Sequence, residues 1–131
     1  MPKVVYSASK GLYQTSGSGV EIGDVAVAEA AESVAFADSP ATLAAYGAST
    51  MDGTAGVTLA TLPDESAVGA VKFLTCNNAD NFPKVTVTSG IRTDGVTVLG
   101  SLEFDAVSEH ASLIWDGTNW ICTSTTATEG V

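Results

Sequence analysis

The segment Ser112-Leu-Ile-Trp-Asp-Gly-Thr-Asn-Trp-Ile-Cys122 constrains the fold of this chain more than any other stretch. Two short apolar runs flank Asp116-Gly117-Thr118-Asn119. Asp-Gly readily supplies the positive φ angles of a tight hairpin turn. Both tryptophans of the protein, Trp115 and Trp120, lie in the flanks. A strand, a turn and a second strand are predicted here, with the indoles anchoring a core or an oligomer interface.

The preceding half of the chain has the same texture. Gly56–Leu62 alternates and stops at Pro63-Asp64, and Ala70–Cys76 reads as a strand followed by the Asx-rich loop 77–81. Lys84–Thr88, Val96–Leu99, Ser101–Phe104, Ala111–Trp115 and Trp120–Ser124 complete the set. Short strands spaced by about ten residues imply an all-β sandwich, a barrel or a short β-solenoid. Asp-Gly recurs at 52–53, 94–95 and 116–117, but the intervals differ and define no internal repeat. The expected fold is all-β: a compact sandwich or barrel-like domain over residues 50–124.

The first fifty residues are less regular. Residues 1–19 are small and polar, with the break Ser16-Gly-Ser-Gly19, and read as an extended arm. In the connecting segment 20–49, alanines and glutamates favour helix while Val25, Val27, Val34 and Phe36 fit a period of two. We read strands at 20–28 and 33–37. Ser39 suits a helix cap, Pro40 the first helical position and Gly47 the stop, which predicts a short helix or a helical turn at 40–46. Residues 125–131 are polar and are expected to form a flexible tail.

Charge excludes some partners. The chain has 5 basic and 15 acidic residues, a net charge of −10. Nucleic acid needs cations to neutralise phosphate, and anionic membrane repels such a surface, so neither is an expected partner. Only 15% of residues are charged while 45% are apolar. Much of the surface must therefore be Ala, Gly, Ser and Thr, side chains that lose little rotamer entropy when a partner covers them. That suits permanent assembly as well as an ordinary β domain with a bland surface. The N-terminus lacks the apolar run of a signal peptide, and no stretch approaches the ~20 apolar residues of a membrane span. Cys76 and Cys122 sit in apolar runs and read as buried thiols, with a disulfide between neighbouring strands left open.

The chemistry-bearing residues are sparse. His110 is the sole histidine, with Ser108 and Ser112 close in sequence, but neighbours along a strand or loop do not make a nucleophilic triad. Glu103 and Asp105 share a face of a strand, the ordinary arrangement of solvated acids. Asn77, Asn78, Asp80 and Asn81 lack the framework of a calcium loop and read as an Asx-rich turn. Two distant cysteines and one histidine do not make a zinc site. No glycine pattern cradles phosphate. No cofactor, metal or catalytic site is expected. The tryptophans remain as binding candidates, since indoles stack on sugars, although they more often fill cores or seams.

Three stretches taken in order carry a resemblance: Gly56-Val-Thr-Leu-Ala-Thr-Leu-Pro63, Gly69-Ala-Val-Lys-Phe-Leu-Thr75 with Val85-Thr-Val87, and Leu113-Ile-Trp-Asp-Gly-Thr-Asn-Trp-Ile121. They resemble β-rich structural proteins of tailed-phage virions, which often end a β unit with an aliphatic strand, Asp-Gly-Thr-x-Trp and another strand. The likeness covers about residues 55–122, and residues 1–50 carry none of it. It implies one of two roles. The first is a capsid decoration (cement) protein, bound as a homotrimer to the major capsid protein on the outer head surface. The second is a tail-fibre or tip module that binds a receptor or carbohydrate. A carbohydrate-binding or adhesin module outside the virion would normally carry a signal peptide. In the decoration role, Lys3, Val4, Tyr6, Lys10 and Tyr13 of the arm are the candidate docking residues. Trp115 and Trp120 are the candidate core or trimer contacts.

Overall fold

The computed structural model describes residues 32–131 throughout. Of residues 1–31 it describes the backbone of four short strands, β1 (Val4–Ser7), β2 (Gly11–Gln14), β3 (Glu21–Ile22) and β4 (Val25–Ala26). β1 pairs antiparallel with β2, and β3 with β4. The rest of the predicted arm and most of the predicted strand at 20–28 lie outside the described residues.

From Glu32 onward the chain alternates between two sheets. In order come β5 (Glu32–Ala35), β6 (Ala41–Thr42), β7 (Gly47–Asp52), β8 (Leu59–Leu62), β9 (Val71–Asn78) and β10 (Lys84–Val87). They are followed by β11 (Gly90–Ile91), β12 (Ser101–Glu103), β13 (His110–Trp115), β14 (Trp120–Thr125) and β15 (Thr128–Gly130). One sheet has six strands in the order β11-β14-β13-β9-β7-β5, the other five in the order β15-β12-β10-β8-β6. The fold is an all-β sandwich.

Its first half is built of parallel rungs. β5, β7 and β9 run parallel in the six-stranded sheet, and β6, β8 and β10 run parallel in the other. Each rung therefore places one strand in each sheet, as in a solenoid. Glu32 pairs with Ser49, 17 positions on, and Ala41 with Ala60, 19 positions on. Gly47 pairs with Lys72 and Leu59 with Lys84, both 25 positions on. The unequal rungs explain why no sequence repeat is visible. The second half closes the stack with antiparallel strands, β12 on β10 and β13 on β9.

Strict alternation builds the core. Leu74 and Cys76 of β9, Leu113 and Trp115 of β13, Val85 and Val87 of β10 and Leu102 of β12 all point between the sheets. Lys72 occupies the same inward register and is fully buried.

Four expectations need correction. No helix forms at 40–46: Ala41–Thr42 is strand β6, and the one helical element among the described residues is the 3-10 turn Phe36–Asp38. Ser39 does not cap, because its hydroxyl accepts the N–H of Leu59, while Leu43 is drawn into the core and its N–H bonds Thr61 O. Tertiary burial overrides local propensity here. Residues 96–99 are not a strand. A turn runs from Arg92 to Thr97, leaving Val98 a single bridge to Ile91 and Val96 exposed. The tail at 125–131 is not flexible, since Thr128–Gly130 pairs with β12 and Ala127 is buried. The paired body also begins at Glu32, not at residue 50.

Candidate functional site

The predicted C-terminal hairpin is present, and its construction follows from Asp116. The Asp116 carboxylate accepts the N–H groups of Thr118 and Asn119, both at 2.7 Å, and Gly117 adopts φ 103°. Those hydrogen bonds, that from Asn119 foremost, hold its carboxyl below the usual aspartate range. Trp115 and Trp120 are directly paired across the strands, with ring centroids 5.4 Å apart and planes tilted by 53°. Trp120 is 0% exposed and its indole N–H donates to Pro63 O at 2.9 Å. Trp115 is 4% exposed, and its indole N–H has no hydrogen-bond partner. Both indoles face the core, so neither presents a ring on which a sugar could stack.

The remaining candidates are dispersed. Lys3 and Lys10 lie outside the described residues. Val4, Tyr6 and Tyr13 fall in β1 and β2, whose side chains are not described. His110 is exposed at the start of β13, with Nδ1 3.3 Å from the Thr126 hydroxyl. The Ser112 hydroxyl bonds Thr123 instead of His110, at 2.8 Å. Glu103 lies opposite Lys84 across β10 and β12. Asn78 and Asp80 satisfy each other, and the Asn81 amide donates to Gly53 O. Among the described residues no three His, Cys, Asp or Glu side chains group to hold a metal. No helix there is long and apolar enough to cross a membrane.

The thiols are free and buried. Cys76 is on β9 and Cys122 on β14, with β13 between them. Two strand spacings are roughly 9.5 Å, beyond the ~7 Å Cα limit for a disulfide. Burial pushes both thiols up, reinforced by Glu109 near Cys76 and Glu129 near Cys122.

A charge pair with its lysine buried and its glutamate partly exposed ties the first rungs together. Lys72 Nζ lies 3.6 Å from Glu32 Oε2 and donates to Tyr46 O at 3.4 Å. The same carboxylate oxygen accepts the Ser49 hydroxyl at 2.6 Å and the Ala44 N–H at 3.3 Å. Strands β5, β7 and β9 are thus joined through side chains as well as through their backbones.

The two outer faces of the sandwich differ in chemistry. The five-stranded sheet presents Leu59, Thr61, Lys84, Thr86, Ser101 and Glu103, with Lys84 and Glu103 paired in register. The six-stranded sheet presents Val71 and Phe73 of β9, Ile114 of β13, Ile121 of β14 and Ile91 of β11. Ile91 pairs with Ile121, Ile121 with Ile114, and Ile114 with Val71, which makes one aliphatic row across four strands. Phe73, 52% exposed, extends the row along β9. On β9 the alternation sets Phe73 outward and Lys72 inward. Nothing in the sequence announced that the row would continue through Ile91, because that depends on β11 docking parallel to β14.

Neither comparison with protein-family models nor comparison with curated proteins finds a match to this chain.

Proposed function

We propose that this chain is a structural protein of a tailed-phage virion, a capsid decoration (cement) protein that binds the major capsid protein on the outer head surface as a homotrimer. The observation that supports the reading is the construction of the C-terminal hairpin. The Asp-Gly-Thr-x-Trp segment that carries the resemblance is set in the core, where its indoles brace a two-sheet body. Such a body keeps its shape under load and offers broad surfaces of short side chains, which suits a permanent bridge between subunits. In this reading the arm makes the capsid contact through Lys3, Val4, Tyr6, Lys10 and Tyr13. Trimerisation supplies avidity, since three weak footprints on one rigid body raise the effective concentration of each. The protein works by binding alone, without catalysis or a cofactor.

The test is co-sedimentation with empty capsids. Deleting residues 1–15 is expected to abolish capsid binding while the sandwich stays folded. Undiminished binding by the truncated protein would sink the arm assignment.

The rung stack favours a second reading, a tail-fibre or tip module. Among the described residues β5 and β6 have a neighbour on one side only, and a stack open in that way can be continued by another chain. Copy number decides between the two, with hundreds per particle for decoration and a few for a tip. The buried indoles remove the sugar-stacking residues that a carbohydrate-binding version of this reading relied on.

A further inference from the structure

We infer that the outer face of the six-stranded sheet is a self-association surface, and that its occupant is a second copy of this chain. The inference deepens the homotrimer part of the proposed function and rests on it only for the number three.

The first argument is apolar continuity. Ile91, Ile121, Ile114 and Val71 form an unbroken row perpendicular to the strands, and Phe73 stands beside it. Ile114 is 39% exposed although it lies at the middle of the sheet. An isolated exposed apolar residue needs no explanation, but a registered row across four strands on a flat pleated face is a contiguous patch. The opposite sheet has no equivalent, since its outer centre carries the Lys84–Glu103 pair.

The second argument is charge, and it selects the partner. The chain carries −10, so two copies repel wherever their acidic surfaces meet. The outward positions of β7, β9, β13 and β14 are Ala48, Thr50, Asp52, Val71, Phe73, Thr75, Asn77, His110, Ser112, Ile114, Ile121, Thr123 and Ser124. They include one carboxylate, Asp52 at the end of its strand, and no lysine or arginine. Among the described residues the acids lie away from this face, Asp52 at its margin excepted, so a like-charged copy would meet little repulsion there. A foreign protein selected for this chain's charge would be met by the acidic remainder instead. Apart from His110 and Asp52, the surrounding polar side chains are Ser, Thr and Asn, whose hydroxyls and amides both donate and accept hydrogen bonds and so can meet the polar side chains of another copy.

The experiment is solution mass by light scattering over a dilution series of the full chain, without capsids. The wild-type protein is expected to be a multimer of the 13.2 kDa chain. Ile114→Lys and, separately, Phe73→Glu should weaken self-association by at least about 100-fold, because each buries an unpaired charge at the seam. Leu59→Glu, on the outer face of the other sheet, should leave the mass unchanged. Both face residues point to solvent within one copy, so thermal unfolding followed by circular dichroism should show the variants folded. Thr75→Lys, which removes no apolar contact, gives an independent disruption should either variant misfold. A wild-type monomer overturns the inference and leaves the face to the capsid or to the chain's own first residues. Multimers that survive all three charge insertions overturn it as well. A multimer dissociated by these variants, combined with no binding of the wild type to capsids, sinks the virion reading and leaves the self-association surface standing.

Discussion

Trp120 is the residue on which the core most depends. It is fully enclosed, packs on Trp115 and hydrogen-bonds the Pro63 carbonyl from 57 positions away. Trp120→Ala is expected to cost about 3–5 kcal/mol, combining lost transfer energy, a cavity and an orphaned carbonyl. Urea denaturation checks this, and a loss below about 1 kcal/mol would contradict the burial described. Asp94 acts at the same scale but at the surface. Its carboxylate accepts the Thr97 hydroxyl and the N–H groups of Val96 and Thr97, and these bonds, the Thr97 hydroxyl first, lower its pKa to about 2. A folded-state pKa below the unfolded value means stability present above about pH 4 and lost as pH falls towards 2. Thermal midpoints of wild type and Asp94→Ala should therefore differ at pH 7 and converge near pH 2. A gap that stays constant across that range would rule the turn carboxylate out as its source. Asp52 and Glu65 behave alike, held below their usual ranges chiefly by the Thr54 hydroxyl and the Ser66 N–H respectively.

At the scale of elements, the pairing of β5 with β7 and β9 combines backbone registry with the Lys72–Glu32 bridge. The two ends of that bridge are unequal, since Lys72 is sealed in the core while Glu32 is partly exposed. Glu32→Ala removes the countercharge of a buried ammonium and should cost about 2–4 kcal/mol, whereas Lys72→Met fills the same space with apolar atoms and should cost under about 1 kcal/mol. Equal losses in denaturant melts would contradict this asymmetry. The elements also show what the sequence could reveal. Asp-Gly at 94–95 and 116–117 marked real turns, and alternation located β8, β9, β10, β13 and β14 to within a few residues. The segment 40–46 was misread because Ser39, Pro40 and Gly47 mimic helix punctuation. What decides its conformation is remote: a parallel seat beside Ala60–Thr61 and a core position for Leu43. β15 was missed for the same reason, since its few polar residues become a strand only beside β12.

At the scale of the whole molecule, strand identity was legible and strand order was not. Parallel neighbours separated by 17, 19 and 25 positions leave no fixed period to read. The docking row was half legible: Phe73 and Ile114 follow from alternation, and Ile91 joins only through the topology. Seating the hairpin joins the ends of this topology. Pro63 and Ser89, which receive the indole and backbone N–H groups of Trp120, belong to segments finished long before residue 120 is added. Both indoles leave water only when the hairpin is seated against these earlier segments. Every tryptophan photon this protein emits comes from that one place, so its fluorescence reports whether the body is closed.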